Sequence, residues 1–165
     1  DFARYKLSIQ ENIGFGEIDD FDNRERTKAA AQKAGIADFI ETLEDSYETK
    51  LGNLFPNSRE LSGGQWQKIG LSRAFMSRAQ VLILDEPTSA MDAIAEFELY
   101  QKFRQLTQGK ITFFISHRFS SVRLADRILV LDEGRIAELG THKELMEKAG
   151  LYARMFDLQA SGYAA

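Results

Sequence analysis

Apolar positions recur at helical spacing through the first half of the chain and condense into short continuous runs in the second. Ser8 is placed to cap a short helix through Asn12, and Asn23 to cap one through Lys33 that Gly35 stops. A third short helix is expected over Ala37 to Leu43. The stretch Glu44 to Glu60 holds Gly52, Pro56 and Asn57 without a sustained period and reads as loop, and a stronger helix follows from Ser62 to about Ser77. In the second half, Val81 to Leu84 is an apolar run closed by Asp85-Glu86-Pro87, the pattern of a buried strand and a loop. Ala93 to Leu106 reads as helix and Ile111 to Ile115 as a second buried strand. Ile128 to Leu131 and Arg135 to Leu139 flank the turn Asp132-Glu133-Gly134 as a hairpin. Thr141 and Glu144 form a capping box at the start of a helix, and a last helix covers Leu151 to Gln159. Strands alternating with helices imply a parallel sheet with helices packed on it. The expected class is α/β: a helical subdomain over residues 1–78, then half of an α/β core over residues 79–165, with the boundary near Ala79.

Composition narrows this picture. With 44% hydrophobic and 28% charged residues, the chain has the balance of a packed globular protein and not of a disordered one. The net charge of -4 supplies none of the basic surface that a nucleic-acid partner demands. Without cysteine there is neither a disulfide framework nor a thiolate metal site. Runs such as Val81-Leu82-Ile83-Leu84 are far short of a membrane span, so any membrane role runs through other sequence or a partner. The chain opens on Asp1 without a signal segment and is expected to be a piece of something longer.

Three places carry candidate chemistry. A strand ending in Asp85 and Glu86 puts both carboxylates at the C-terminal edge of the sheet, where α/β proteins bind ligands. One can hold Mg²⁺ and the other orient an attacking water, although a strand that simply ends in polar residues explains the pair equally. In Leu61-Ser62-Gly63-Gly64-Gln65, Ser62 and Gln65 complete a capping box. That leaves the two glycines unexplained, since each costs up to about 1 kcal/mol in a helical turn. They bare backbone N–H groups at the positive end of a helix, where a phosphate can approach. His117 follows the strand Ile111 to Ile115 and is either structural or a contact to a terminal phosphate. His142 lies inside a capping box and carries no assigned role, and neither histidine has metal-ligand spacing.

Together these segments resemble the ATP-binding-cassette family over nearly all of the chain. Leu61 to Gln65 resembles its signature, continued by Gln67-Lys68, and Val81 to Glu86 its Walker B strand. Ser89-Ala90-Met91-Asp92 resembles the D-loop and Ser116-His117-Arg118 the H-loop. The resemblance implies a partial P-loop ATPase core with a helical signature subdomain. It implies Asp85 in the Mg²⁺ shell, Glu86 polarising the attacking water and His117 at the γ-phosphate. Ser62, Gly63, Gly64 and Gln65 would touch ATP held by a second nucleotide-binding domain in a head-to-tail dimer, with Asp92 at that interface. No G-x-x-x-x-G-K-[ST] loop occurs in the sequence, so this chain alone is expected to be inactive. Asp1 to Tyr5 resembles the stretch that follows the family's Q-loop glutamine.

Three functions are compatible with such a domain: the motor of a membrane exporter, a soluble cassette ATPase acting on ribosomes or chromosomes, and an inactive fragment. Ser8 to Ile13, Gly140 to Leu145 and Gly150-Leu151-Tyr152 resemble exporter segments. Condensation and repair ATPases would carry a long coiled coil ahead of the signature, where only about sixty residues stand here. An exporter motor implies transmembrane domains as partners and a place on the cytoplasmic face of the cell membrane. One departure is Asn53, in a loop Thr49 to Arg59 that is longer than the usual exporter version, where a glutamate is common.

Overall fold

The computed structural model describes residues 3–54, 57–87 and 107–162. Two compact units make up the chain, divided between Phe113 and Phe114.

The first unit begins with four helices, α1 (Ile9–Gly14), α2 (Arg24–Ala34), α3 (Ala37–Glu41) and α4 (Gly63–Met76). Their ends are set locally. The Ser8 hydroxyl accepts from the Glu11 backbone N–H while the Glu11 carboxylate accepts from Ser8, a closed capping box on α1. Asn23 caps α2 through Arg26, and Gly35 closes it in the left-handed region at φ 73°. Ile9, Ile13, Ile40, Leu51, Trp66 and Ile69 form the centre of one continuous core. Gly16, just after α1, passes so close to the last turn of α4 that a Cβ would lie 2.2 Å from the Arg73 carbonyl oxygen. Only a residue without a side chain permits that approach.

Arg73 of α4 reaches back to the start of the chain. It donates to the Asn12 carbonyl (2.7 Å), to Asn12 Oδ1 (2.6 Å) and to the Ala3 carbonyl (2.6 Å). The fully buried Asn12 amide in turn donates to the carbonyls of Tyr5 and Ser8, both at 2.9 Å. Sequence periodicity cannot foresee such a hub, whose halves lie 61 residues apart.

Within the stretch Glu44 to Glu60, expected to be plain loop, the described residues make specific backbone contacts. Ser8 bridges Lys50 and Leu51 bridges Arg59. The Leu51 amide donates to the Leu7 carbonyl at 2.9 Å and the Arg59 amide to that of Lys50 at 2.8 Å. Isolated bridges of this kind satisfy backbone groups without a repeating side-chain pattern, so no period announces them.

Strand β1 (Val81–Asp85) pairs with β2 (Ile111–Ile115). The Ile111 amide donates to the Gln80 carbonyl at 2.9 Å, which sets the two strand starts side by side and makes the pair parallel, as expected. The expectation of fully buried strands is corrected. Leu82 and Leu84 are buried, whereas Val81, Ile83, Ile111, Phe113 and Ile115 are each at least half exposed. Alternate side chains point to opposite faces of a strand, and here one face is covered while the other is open. The expected helix Ala93 to Leu106 lies outside the described residues.

The second unit holds α5 (Phe119–Val122), the hairpin β3 (Ile128–Asp132) and β4 (Arg135–Gly140), α6 (His142–Lys148) and α7 (Leu151–Gly162). Asp132 pairs with Arg135 across the two-residue loop Glu133-Gly134. Both loop residues have positive φ, 47° and 73°, the mirror-image turn that matches strand twist. Thr141 and Glu144 close the expected capping box on α6. Glu138 is buried on β4 and accepts from the backbone N–H groups of Leu151 (3.2 Å) and Tyr152 (2.9 Å). Its carboxylate thereby caps the positive end of α7. His142 Nδ1 lies 2.9 Å from the Tyr152 hydroxyl against Phe156, a structural setting. Among the described residues no helix is long and apolar enough to cross a membrane.

Candidate functional site

Ser62 and Gln65 build the N-terminus of α4. The Ser62 hydroxyl accepts from the Gln65 amide (3.3 Å), and the Gln65 side chain accepts from the Ser62 amide (2.9 Å). The capping box expected from sequence is therefore present. It is anchored from below by Trp66, which is buried and donates from its indole to Glu60 at 3.1 Å. Ser62 and Gly63 are exposed, and Gly64 and Gln65 are half-buried. A rigid, capped helix thus presents a glycine-lined positive end to solvent, which is what an anion requires.

Asp85 ends β1 and Glu86 follows it, both exposed, with Pro87 buried behind them. Glu86 has φ 44°, in the left-handed region. A residue with a side chain held there costs on the order of 1–3 kcal/mol and persists only where its surroundings impose it. One such constraint is visible. Gln67 of α4, itself buried, donates from Nε2 to the Glu86 carbonyl oxygen at 3.1 Å. The sequence offered little to mark Gln67 apart from its place two residues past the signature segment, beside the apolar Trp66 and Ile69.

His117 lies in the second unit, exposed, two residues past β2. Its backbone is clasped by one side chain of α7. Gln159 Nε2 donates to the His117 carbonyl at 2.9 Å, and Gln159 Oε1 accepts from the Phe119 amide at 2.9 Å. The Arg118 amide donates to Ser116 Oγ at 3.0 Å, tightening the same turn. Asp92 lies outside the described residues.

Mg²⁺ bound together with a substrate's phosphates takes one or two protein carboxylates and water, in place of a full protein cage. Asp85 fits that pattern: an exposed carboxylate at the end of a strand. Among the described residues there is no cluster of three or more ligating side chains.

One strand of a parallel pair ends in adjacent carboxylates, and a capped, glycine-bearing helix is hydrogen-bonded to the residue that follows it, an arrangement of the kind found where α/β proteins bind ligands. The family model described as ABC transporter matches residues 2–89, and the chain belongs to that family. It is 45% identical over 156 residues to the subtilin transport ATP-binding protein of Bacillus subtilis, covering 94% of this chain and 25% of that protein. It is 44% identical over 154 residues to the ATP-dependent lipid A-core flippase of Alcanivorax borkumensis, covering 93% and 26%. Among solved structures, a bacterial Atm1-family ABC exporter with ATP bound matches with a TM-score of 0.87 and 36% identity, over 97% of this chain and 27% of that one. The chain thus spans about a quarter of the length of these relatives.

Proposed function

We propose that the chain is part of the ATP-hydrolysing motor domain of an exporter, coupling hydrolysis to transport across a membrane. Residues 1–78 serve as its helical signature subdomain and residues 79–165 as the C-terminal part of its ATPase core. The observation that carries this most directly is the exposed Asp85-Glu86 pair at the end of β1, in a chain so similar in fold to an ATP-bound exporter.

The division of labour follows from where charge and water must be controlled. Phosphoryl transfer needs positioning and charge stabilisation more than covalent chemistry. Asp85 holds Mg²⁺, which supplies charge neutralisation at the phosphates. Glu86, one residue beyond the strand, accepts a hydrogen bond from the attacking water and orients it. His117 contacts the γ-phosphate from the end of β2. The N-terminus of α4, with Ser62, Gly63, Gly64 and Gln65, binds ATP held by a second nucleotide-binding domain in a head-to-tail dimer, and Asp92 belongs to that interface. The remaining partners are transmembrane domains, which place the motor on the cytoplasmic face of the membrane.

The test is Gly64→Asp in the full-length protein, which sets a carboxylate at the positive helix end. ATP binding by the separated domain should change little, while ATP-driven dimerisation, read by cross-linking, should be lost. Normal dimerisation in this variant would sink the assignment of the signature segment.

A further inference from the structure

We infer that Gln67 is a positioning residue for Glu86, setting where its carboxylate sits and linking the signature helix to the hydrolytic residue of the same chain. The inference rests on the role proposed for Glu86 and adds a residue to it. Glu86 holds a left-handed φ of 44° directly after β1, a conformation uncommon for a residue with a side chain. In that conformation the peptide after Glu86 is turned so that its carbonyl meets α4, where the Gln67 amide donates to it at 3.1 Å. Gln67 is 5% exposed, so its side-chain amide has little water to turn to when the bond is lost.

The position of Gln67 on α4 gives the bond a second meaning. It stands less than two turns from Ser62, on one helix with the capped, exposed N-terminus. An α-helix moves as a rigid element over such a span. Any shift of α4 when an anion docks at its N-terminus is therefore carried to the Glu86 backbone. Glu86 is exposed, and Gln67 meets its backbone carbonyl. Gln67 sets geometry alone.

Gln67→Glu keeps the shape and, when ionised, replaces the donor with an acceptor facing a carbonyl. Gln67→Met keeps the volume and removes the donor. Both variants, and each again with Glu86→Gln, are assayed for ATP hydrolysis in the full-length protein. With Glu86 present, kcat should fall roughly ten-fold or more while KM for ATP stays within about two-fold, the signature of lost transition-state geometry. With Glu86→Gln, neither variant should lower the residual rate further, because the residue they act through is already disabled. Equal losses in both backgrounds, or an unchanged kcat in the variant that folds, overturn the inference. Glu86→Gln alone tests the separate question of whether Glu86 is needed for hydrolysis at all.

Discussion

Arg73→Met offers a direct measure of what holds the first residues onto α4. The methionine keeps most of the apolar stem and removes the guanidinium. Three donations end with it: to the Asn12 carbonyl, to Asn12 Oδ1 and to the Ala3 carbonyl, all between 2.6 and 2.7 Å. The stacking of the guanidinium 4.9 Å above the Tyr5 ring is lost as well. Burial already pushes the Arg73 guanidinium below its ordinary pKa, so the charge is held at a cost that these partners offset. Asn12 is 0% exposed and cannot recruit water for the abandoned acceptors. Charged hydrogen bonds contribute about 1.5–3 kcal/mol each, and partial relaxation brings the expected total to about 3–5 kcal/mol. The loss should be local before it is global. Amide hydrogen exchange over residues 3–15 of the full-length protein should accelerate roughly a hundred-fold to a few thousand-fold, since each 1.4 kcal/mol is about a factor of ten. Residues 142–160, in the other compact unit, should keep their rates. Unchanged exchange over residues 3–15 would refute the hub as the tether.

Three further outcomes follow from single contacts. Glu11 is pulled from its ordinary 4.5 to about 2, first by the Lys50 ammonium and then by the Ser8 backbone N–H. A depressed carboxylate stabilises the fold above its ordinary pKa, and that contribution disappears as pH falls from about 4.5 toward 2. With the side chain 33% exposed, solvent screening reduces it to about 1 kcal/mol. Glu11→Gln should therefore lower the urea midpoint at about pH 6 and leave a smaller gap at about pH 3; a gap independent of pH contradicts this. Gly16→Ala places a Cβ 2.2 Å from the Arg73 carbonyl and 2.8 Å from the Met76 Cβ, so the melting temperature should drop by several degrees for roughly 1–3 kcal/mol of strain. Gln159→Leu removes both bonds of the clasp on the His117 turn; kcat for ATP hydrolysis should fall about ten-fold, and a kcat equal to the parent's would show that the turn holds itself.

Features written in neighbouring residues were readable from the chain alone. Ser8, Asn23, Gly35, Ser62 and Thr141 all act within a few positions of themselves, and each does in the structure what its local chemistry requires. The turn at Glu133-Gly134 is legible for the same reason. The candidate site was legible as residue types, Asp85, Glu86 and the signature segment, but not as geometry. The left-handed backbone of Glu86 and its tie to Gln67 depend on a contact across 19 positions, and the clasp of Gln159 on the His117 turn on one across 42. Burial of β1 and β2 was overestimated because an apolar run states what a strand can bury and not what covers it. The bridges at Lys50, Leu51 and Arg59 escaped notice because backbone pairing of this kind leaves no side-chain pattern.

The central claim rests on the Glu86 carboxylate, and exchanging one oxygen for nitrogen tests it. Glu86→Gln in the full-length protein preserves the shape and removes the charge that orients water. Single-turnover hydrolysis of Mg-ATP should fall by about two to four powers of ten, while ATP binding is retained and the ATP-bound dimer outlives that of the parent. Hydrolysis within a few-fold of the parent rate, with the same dimer lifetime, would contradict the assignment and remove Glu86 from the chemistry.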